Sequence, residues 1–159
     1  MSSLLLFTDG SAHPTSRIGY GAYLAIPDLN VDFEMVETRV QLKRFENTSS
    51  TRLEIETLIW ALQETQPQTV IVYTDSQNII GLPDRRERME KHGYRSKAGV
   101  QLKHAELYQD FFRMTDSLNF TLVKVKGHNR SHQKSQIDQL FTLVDRASRR
   151  ALRTELANQ

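Results

Sequence analysis

The chain has 159 residues, enough for one domain over residues 1–159 and too few for two. Its 38% hydrophobic and 25% charged residues exclude a disordered chain, and the absence of cysteine excludes disulfides and thiolate metal sites. The net charge of +2 is unevenly divided: residues 1–84 hold 5 basic and 11 acidic side chains, and residues 85–159 hold 16 and 8. This division suits a protein that binds cations at one place and a polyanion at another.

The first third of the chain predicts three strands. The N-terminal apolar run is too short for a signal peptide or a membrane span and lacks a basic leader, so residues 3–9 are interpreted as a strand of a cytoplasmic protein. Residues 19–26 form a second apolar run that ends at a Pro-Asp turn signal. Apolar and acidic residues alternate at the start of 31–46, which predicts a third, antiparallel strand there.

Helices and strands then alternate. Periodic apolar residues predict helices over 51–64, 101–116 and roughly 135–156, and continuous apolar runs predict buried strands at 70–73 and 120–125. The order of elements predicts an α/β fold. Its five-stranded mixed sheet has three antiparallel strands followed by two parallel ones, with helices on its flanks.

Acidic residues occur at unusual places in this pattern. Asp9 and Asp75 each follow an apolar strand and a threonine, and Glu54 lies near the start of a predicted helix. An isolated Asp after a strand is usually a turn former, and an isolated Glu on a helix usually faces solvent. Two near-identical strand ends argue against that reading, because buried carboxylates are costly unless compensated. Mg²⁺ is the usual compensation, so the pattern predicts a phosphoryl-transfer metal site.

Five short motifs follow one another along the chain: Phe7-Thr8-Asp9-Gly10-Ser11, Tyr20-Gly21-Ala22, Arg52-Leu53-Glu54, Thr74-Asp75-Ser76-Gln77 and Val125-Lys126-Gly127-His128. With these motifs, from Leu5 to about Leu152, the chain resembles the type 1 ribonucleases H, which cut the RNA strand of RNA–DNA hybrids. The resemblance implies an RNase H-like fold and an endonuclease with two Mg²⁺ ions, or Mn²⁺ in their place. It also implies in-line attack of water that leaves 5′-phosphate and 3′-hydroxyl ends.

The same resemblance implies that Asp9, Glu54 and Asp75 are catalytic metal ligands, joined by a fourth acid on the last helix. Asp145 precedes an Ala/Arg-rich ending similar to the family's Asp-x-x-Ala-Arg, whereas Asp138 has the more usual separation from the Lys-Gly-His motif. Because Asp138 and Asp145 are seven residues apart, both can face the same side of one helix. We choose Asp145 and keep Asp138 as the alternative. His128 is the implied proton shuttle, because histidine titrates near neutrality.

Substrate contacts are expected at two places. Ser50 and Thr51 replace the family's amide pair before the first helix, and their hydroxyls can still bond a 2′-OH. Residues 85–97 resemble the basic protrusion with which some members grip duplex backbone. The full set of expected substrate-binding residues is Ser11, Ser50, Thr51, Gln77, Arg85, Arg86, Arg88, Lys91, Tyr94 and Lys97.

Three functions are therefore compared. The first is a monomeric, cytoplasmic ribonuclease H whose partner is the hybrid duplex, with neither a membrane nor an obligate protein partner. The second is a catalytically silent nucleic-acid-binding module of the same fold. The third is a related nuclease that acts on double-stranded RNA or DNA, which the Ser50-Thr51 substitution keeps open. The intact acids argue against the silent module, which has no reason to hold costly carboxylates.

Overall fold

The computed structural model describes residues 3–126 and 135–159. Five strands form one sheet in the order β3-β2-β1-β4-β5. β2 is antiparallel to both β1 and β3, and β4 is parallel to both β1 and β5, which confirms the predicted mixed sheet. The strands are β1 (Ser3–Ala12), β2 (Gly19–Ile26), β3 (Gln41–Phe45), β4 (Thr69–Thr74) and β5 (Asn119–Lys124).

Helices cover both faces of this sheet. They are α1 (Phe33–Glu37), α2 (Ser50–Thr65), α3 (Gln77–Ile80), α4 (Leu82–Lys91), α5 (Ala105–Asp116) and α6 (Gln136–Ala157). Apolar side chains of α2, α4 and α5 pack on one face and those of α1 and α6 on the other. β1 contributes side chains to both faces of the sheet. Leu6 packs with α2, α4 and α5 and the adjacent Phe7 packs with α1 and α6, as the alternation of side chains along a strand requires.

The prediction for residues 31–46 was wrong in its first half. Only Gln41–Phe45 form a strand, and the preceding residues form the short helix α1. Asp32 begins that helix because its side chain accepts a hydrogen bond from the Glu34 N–H. Val36, which the alternation did not single out, is the buried residue, and Met35 is 55% exposed. Over so few residues, alternation does not distinguish a strand from a capped helical turn.

No helix among the described residues is both long and apolar enough to cross a bilayer. The longest, α6, has instead one buried side, which packs on β1 and β2. Ser135 caps its N-terminus by accepting from the Asp138 N–H at 3.2 Å. This helix returns the end of the chain to the first two strands.

Candidate active site

The register of β1 and β4 sets Asp9 and Asp75 side by side. Phe7 pairs with Tyr73 across the two parallel strands, and their rings stack with centroids 4.8 Å apart. Asp9 and Asp75 come two residues later in each chain segment. Because side chains alternate along a strand, the Asp9 carboxylate leaves on the face covered by α6, and Asp75 follows directly after the end of β4.

A third carboxylate comes from α6. The side chain of Asp145 lies close enough to Asp9 to raise the pKa of the Asp9 carboxyl, although the two residues lie at opposite ends of the sequence. Asp145 also pairs with Arg149 one turn later, with 3.0 Å between Oδ1 and Nε. The buried Ser148 lies beside this pair and places its hydroxyl 3.4 Å from that of Ser11.

Glu54 reaches the same place from α2 on the other face of the sheet. The helix can approach closely because Gly10 has no side chain: a Cβ there would lie 2.9 Å from Leu53 Cγ and Cδ2. The Ser76 hydroxyl donates to Glu54 Oε2 at 2.6 Å, so the residue after Asp75 positions the carboxylate that α2 supplies. Ser76 also caps α3 by accepting from the Ile79 N–H.

Burial and mutual repulsion raise the pKa values of these acids. The pKa of Asp9 lies well above its ordinary value, first because of burial, then because of the charge of Asp75 and the hydrogen bond with Asp145. Burial also raises the pKa of Glu54, against the hydrogen bond from Ser76, and the charge of Asp75 adds to the rise. These acids are thus placed so close together at one edge of the sheet that ionising all of them is unfavourable.

The donors at this edge fit a hard divalent cation. They are carboxylate oxygens from four different elements, the ligand type that Mg²⁺ prefers. In the described part of the chain they do not form a preassembled metal-ligand group of three or more; they interact in pairs instead. The carboxyl groups of Asp9 and Asp145 repel each other unless one of them is protonated, and a bound cation would relieve the same repulsion.

The structure gives Asp138 and Asp145 different surroundings. Asp138 is the third residue of α6 and forms a capping box: Ser135 accepts from its N–H, and its Oδ2 accepts from the Ser135 N–H at 3.4 Å. Asp145, two turns later, interacts with Asp9. The capping box thus explains the position of Asp138 in the helix, whereas Asp145 lies with the other acids of the site.

The predicted proton shuttle, His128, lies outside the described residues, as does Gly127. The chain up to Lys126 is described. Val125 is buried and its N–H donates to the Thr74 carbonyl at 2.8 Å, which extends the pairing of β5 with β4 to the edge where Asp75 lies.

The hydroxyl and amide candidates for substrate contact lie around this edge. Ser49, rather than Ser50, caps α2, so Ser50 and Thr51 remain exposed on its first turn. Gln77 accepts a hydrogen bond from Lys124 Nζ at 2.5 Å, a contact between α3 and β5 that no sequence motif indicated.

The basic segment is only partly available to a ligand. Arg88, Lys91 and Lys97 are exposed, and Arg88 and Lys97 line a surface cavity of about 620 Å³. Arg86 is held by Asp116 and Glu90 and lies over the ring of Phe112. Arg85 donates to Asn78. Tyr94 is only 8% exposed and belongs to the core, so its ring is not presented at the surface.

Comparison with known proteins agrees with this architecture. A family model described as RNase H matches residues 1–145. The chain belongs to the RNase H family. It is 26% identical to the ribonuclease H of Acetivibrio thermocellus over 147 residues, 89% of this chain and 94% of that protein. It is 28% identical to the ribonuclease H of Pseudomonas fluorescens over 141 residues, 87% and 89% of the two chains.

A solved structure shares the fold with this RNase H family chain. The foamy viral protease–reverse transcriptase, solved in complex with double-stranded DNA, superposes with a TM-score of 0.67 at 13% identity, covering 92% of this chain and 94% of that one. Two residues beside the site of this family member were not singled out from its sequence. Ser76 belongs to the Thr-Asp-Ser-Gln motif but was given no role of its own at this site, and Arg149 could have been found from its four-residue spacing to Asp145.

Proposed function

We propose that this protein is an endoribonuclease that hydrolyses the RNA strand of RNA–DNA hybrids. The observation that supports it best is the convergence of Asp9, Glu54, Asp75 and Asp145 from four elements on one edge of the sheet. Membership of the RNase H family and the ribonuclease H relatives support the substrate. We further propose that the protein acts as a monomer in the cytoplasm.

The four carboxylates would hold two Mg²⁺ ions, or Mn²⁺ in their place. Bound cations supply stabilisation of the charge that develops on the phosphate and lower the pKa of water. The protein's own contribution is positional. Ser76 holds Glu54 and Arg149 holds Asp145, so the side chains of both acids are fixed before substrate arrives. The expected products carry 5′-phosphate and 3′-hydroxyl ends.

His128 is proposed to move a proton at the attacking water or at the departing 3′ oxygen, as its sequence context after β5 predicts. Its role can be separated from metal binding. His128→Ala should lower turnover in part and leave Mg²⁺ binding intact, as measured by steady-state kinetics and calorimetry. An unchanged rate would remove His128 from the mechanism.

Substrate is proposed to lie across the start of α2 and the basic segment. The hydroxyls of Ser50 and Thr51 would bond the 2′-OH groups that distinguish RNA, with Ser11 and Gln77 beside them. Arg88, Lys91 and Lys97 would contact phosphates without regard to sequence. Arg85 and Arg86 would act mainly by shaping the segment, because each already binds other protein groups.

One assay tests the proposal. The protein is incubated with a labelled RNA–DNA hybrid, double-stranded RNA or double-stranded DNA, each with Mg²⁺, Mn²⁺ or EDTA. Metal-dependent cleavage of RNA in the hybrid alone is the expected result. Cleavage of another duplex instead would favour the related nuclease, which the short hydroxyl side chains at 50 and 51 keep open. Binding without any cleavage would identify a silent module.

A further inference from the structure

Four arginines form one exposed face of α6, beginning directly after Asp145. Arg146, Arg149, Arg150 and Arg153 follow one another at three- and four-residue steps, so they lie on the same side of the helix. That side is opposite the residues buried against the sheet, such as Leu140, Val144 and Ser148. These four residues are called the arginine face.

The arginine face is unfavourable for the isolated protein. Like charges at these spacings destabilise a helix by about 0.2–0.5 kcal/mol for each neighbouring pair. Within the described part of the chain, Arg149 alone among the four forms an ion pair, and its partner is Asp145. The nearby Glu155 already binds Arg44 and the Tyr20 hydroxyl. Among the described residues, the other three arginines therefore form no ion pair.

The position of the arginine face points to a particular kind of ligand. The arginine face is continuous with the four acids of the candidate active site, because the ion pair between Asp145 and Arg149 joins the two surfaces. From Arg146 to Arg153 the helix rises by roughly 10 Å, whereas phosphates along one strand of B-form DNA are about 3.4 Å apart along its axis. Charges held along such a length, next to a phosphoryl-transfer site, match a nucleic-acid backbone better than a single anion.

We infer that the arginine face of α6 is a second phosphate-binding surface. It contacts the backbone of a nucleic acid whose scissile phosphate lies at the four acids of the candidate active site. This inference rests on the proposed function for its substrate class. It assigns to α6 a binding surface that is separate from the basic segment around α4. The contacts are to phosphates, so they add affinity without sequence preference.

The test is the salt dependence of binding. A fluorescently labelled RNA–DNA hybrid is titrated with protein in EDTA over a series of salt concentrations. The variant Arg146→Gln/Arg150→Gln/Arg153→Gln should reduce the slope of log K against log salt by about 1 for each phosphate that the protein no longer neutralises. The hybrid should also bind about tenfold or more weakly at low salt. Arg149 is left in place because it pairs with Asp145.

A matched control separates this role from net charge. Arg113→Gln removes one charge from an exposed position of α5, whose apolar side packs on the opposite face of the sheet, and is compared with Arg153→Gln. The control should keep the wild-type slope, and Arg153→Gln should not. The triple variant should melt at or above the wild-type temperature, since like charges are removed. A lower melting temperature with an unchanged slope would overturn the inference.

Two further results keep the alternatives distinct. If the triple variant keeps the wild-type slope with the hybrid but loses affinity for polyglutamate, the face binds an acidic protein and the inference is wrong. If wild-type protein fails to cleave the hybrid, the proposed function fails, yet a slope reduced by the triple variant still supports a nucleic-acid surface on α6. The two proposals thus fail through different measurements.

Discussion

The carboxyl groups of Asp9 on β1 and Asp145 on α6 lie close together, and Asp145 helps to raise the pKa of Asp9. The two groups can share a hydrogen bond only while one of them holds a proton. Both acids are therefore placed where their charges repel, and among the described residues the ion pair of Asp145 with Arg149 offsets only one of them. A bound divalent cation would offset both, because Mg²⁺ prefers carboxylate oxygens.

The first prediction distinguishes the two acids of α6. Asp145→Asn should lower cleavage of the hybrid by roughly 100-fold or more, since it removes one of the carboxylates that would hold the cations at the reacting phosphate. Asp138→Asn should retain activity and lose less than about 1 kcal/mol of stability, because Asp138 caps the helix. Kinetics and thermal melts of the two variants check this. Loss of activity in Asp138→Asn alone would reverse the assignment.

The second prediction concerns stability without metal. Because the pKa of Asp9 is raised in the folded state, the folded protein keeps the Asp9 proton at pH values at which the unfolded chain releases it. The contribution of Asp9 to stability is therefore complete at low pH and is lost as the pH rises above 3.8. In the Asp9→Asn variant the side-chain amide can still donate to Asp145, and no buried carboxyl group has to ionise. It should stabilise the protein in EDTA at neutral pH by roughly 1–3 kcal/mol.

Denaturant melts with and without Mg²⁺ check the Asp9 prediction. Added Mg²⁺ should stabilise the wild type by mass action and have little effect on Asp9→Asn. The stability advantage of Asp9→Asn over the wild type should therefore shrink or reverse. Asp110→Asn, at an exposed ion pair with Arg113, serves as the control and should change stability by less than about 1 kcal/mol. A less stable Asp9→Asn protein in EDTA would contradict the argument.

Parts of the site follow from sequence because local rules determine them. Two strands that each carry Thr-Asp after an apolar run, if parallel and in register, must place Asp9 and Asp75 side by side. The identity of the fourth acid is different, since helical periodicity allows both Asp138 and Asp145 to face the sheet. The hydrogen-bonded N-cap at Ser135 and the packing of α6 give the two acids different surroundings, and both are tertiary or capping features.

The basic segment shows a second limit of sequence reasoning. A run of cations predicts a binding surface, but it does not indicate which members the protein itself already uses. Arg86 is held by Asp116, thirty residues later in the chain, and Tyr94 enters the core at a positive φ of 59°. Both depend on how α4 packs against α5, which composition does not specify.

The third prediction concerns the far end of α6. Glu155 accepts from the Tyr20 hydroxyl at 2.6 Å and from Arg44 at 2.7 and 3.0 Å, and these contacts, Arg44 first, lower its pKa to about 2. Its contribution to stability is therefore present above its ordinary pKa of 4.5 and is lost as the pH falls toward 2. Glu155→Gln should lower Tm at neutral pH, with the deficit shrinking in acid.

Thermal melts between neutral pH and pH 2 measure this Glu155 effect. Tyr20→Phe is the matched control, because it removes one hydrogen bond and keeps the ion pair with Arg44. Its Tm should fall less than that of Glu155→Gln, and its deficit should depend less on pH. A deficit for Glu155→Gln that stays constant with pH would show that the carboxylate's charge is not responsible.

The fourth prediction compares two buried threonines. Among the described residues, the Thr57 hydroxyl has no hydrogen-bond partner, whereas the Thr48 hydroxyl donates to Glu56 at 2.7 Å. Valine has nearly the shape of threonine without the polar atom, so Thr57→Val should raise stability by about 1 kcal/mol. Thr48→Val should lower the stability by about 1–3 kcal/mol, because the Glu56 carboxylate loses one of its two partners and keeps only Arg52. Denaturant unfolding of both variants measures the difference, and a destabilised Thr57→Val would mean that a water satisfies that hydroxyl.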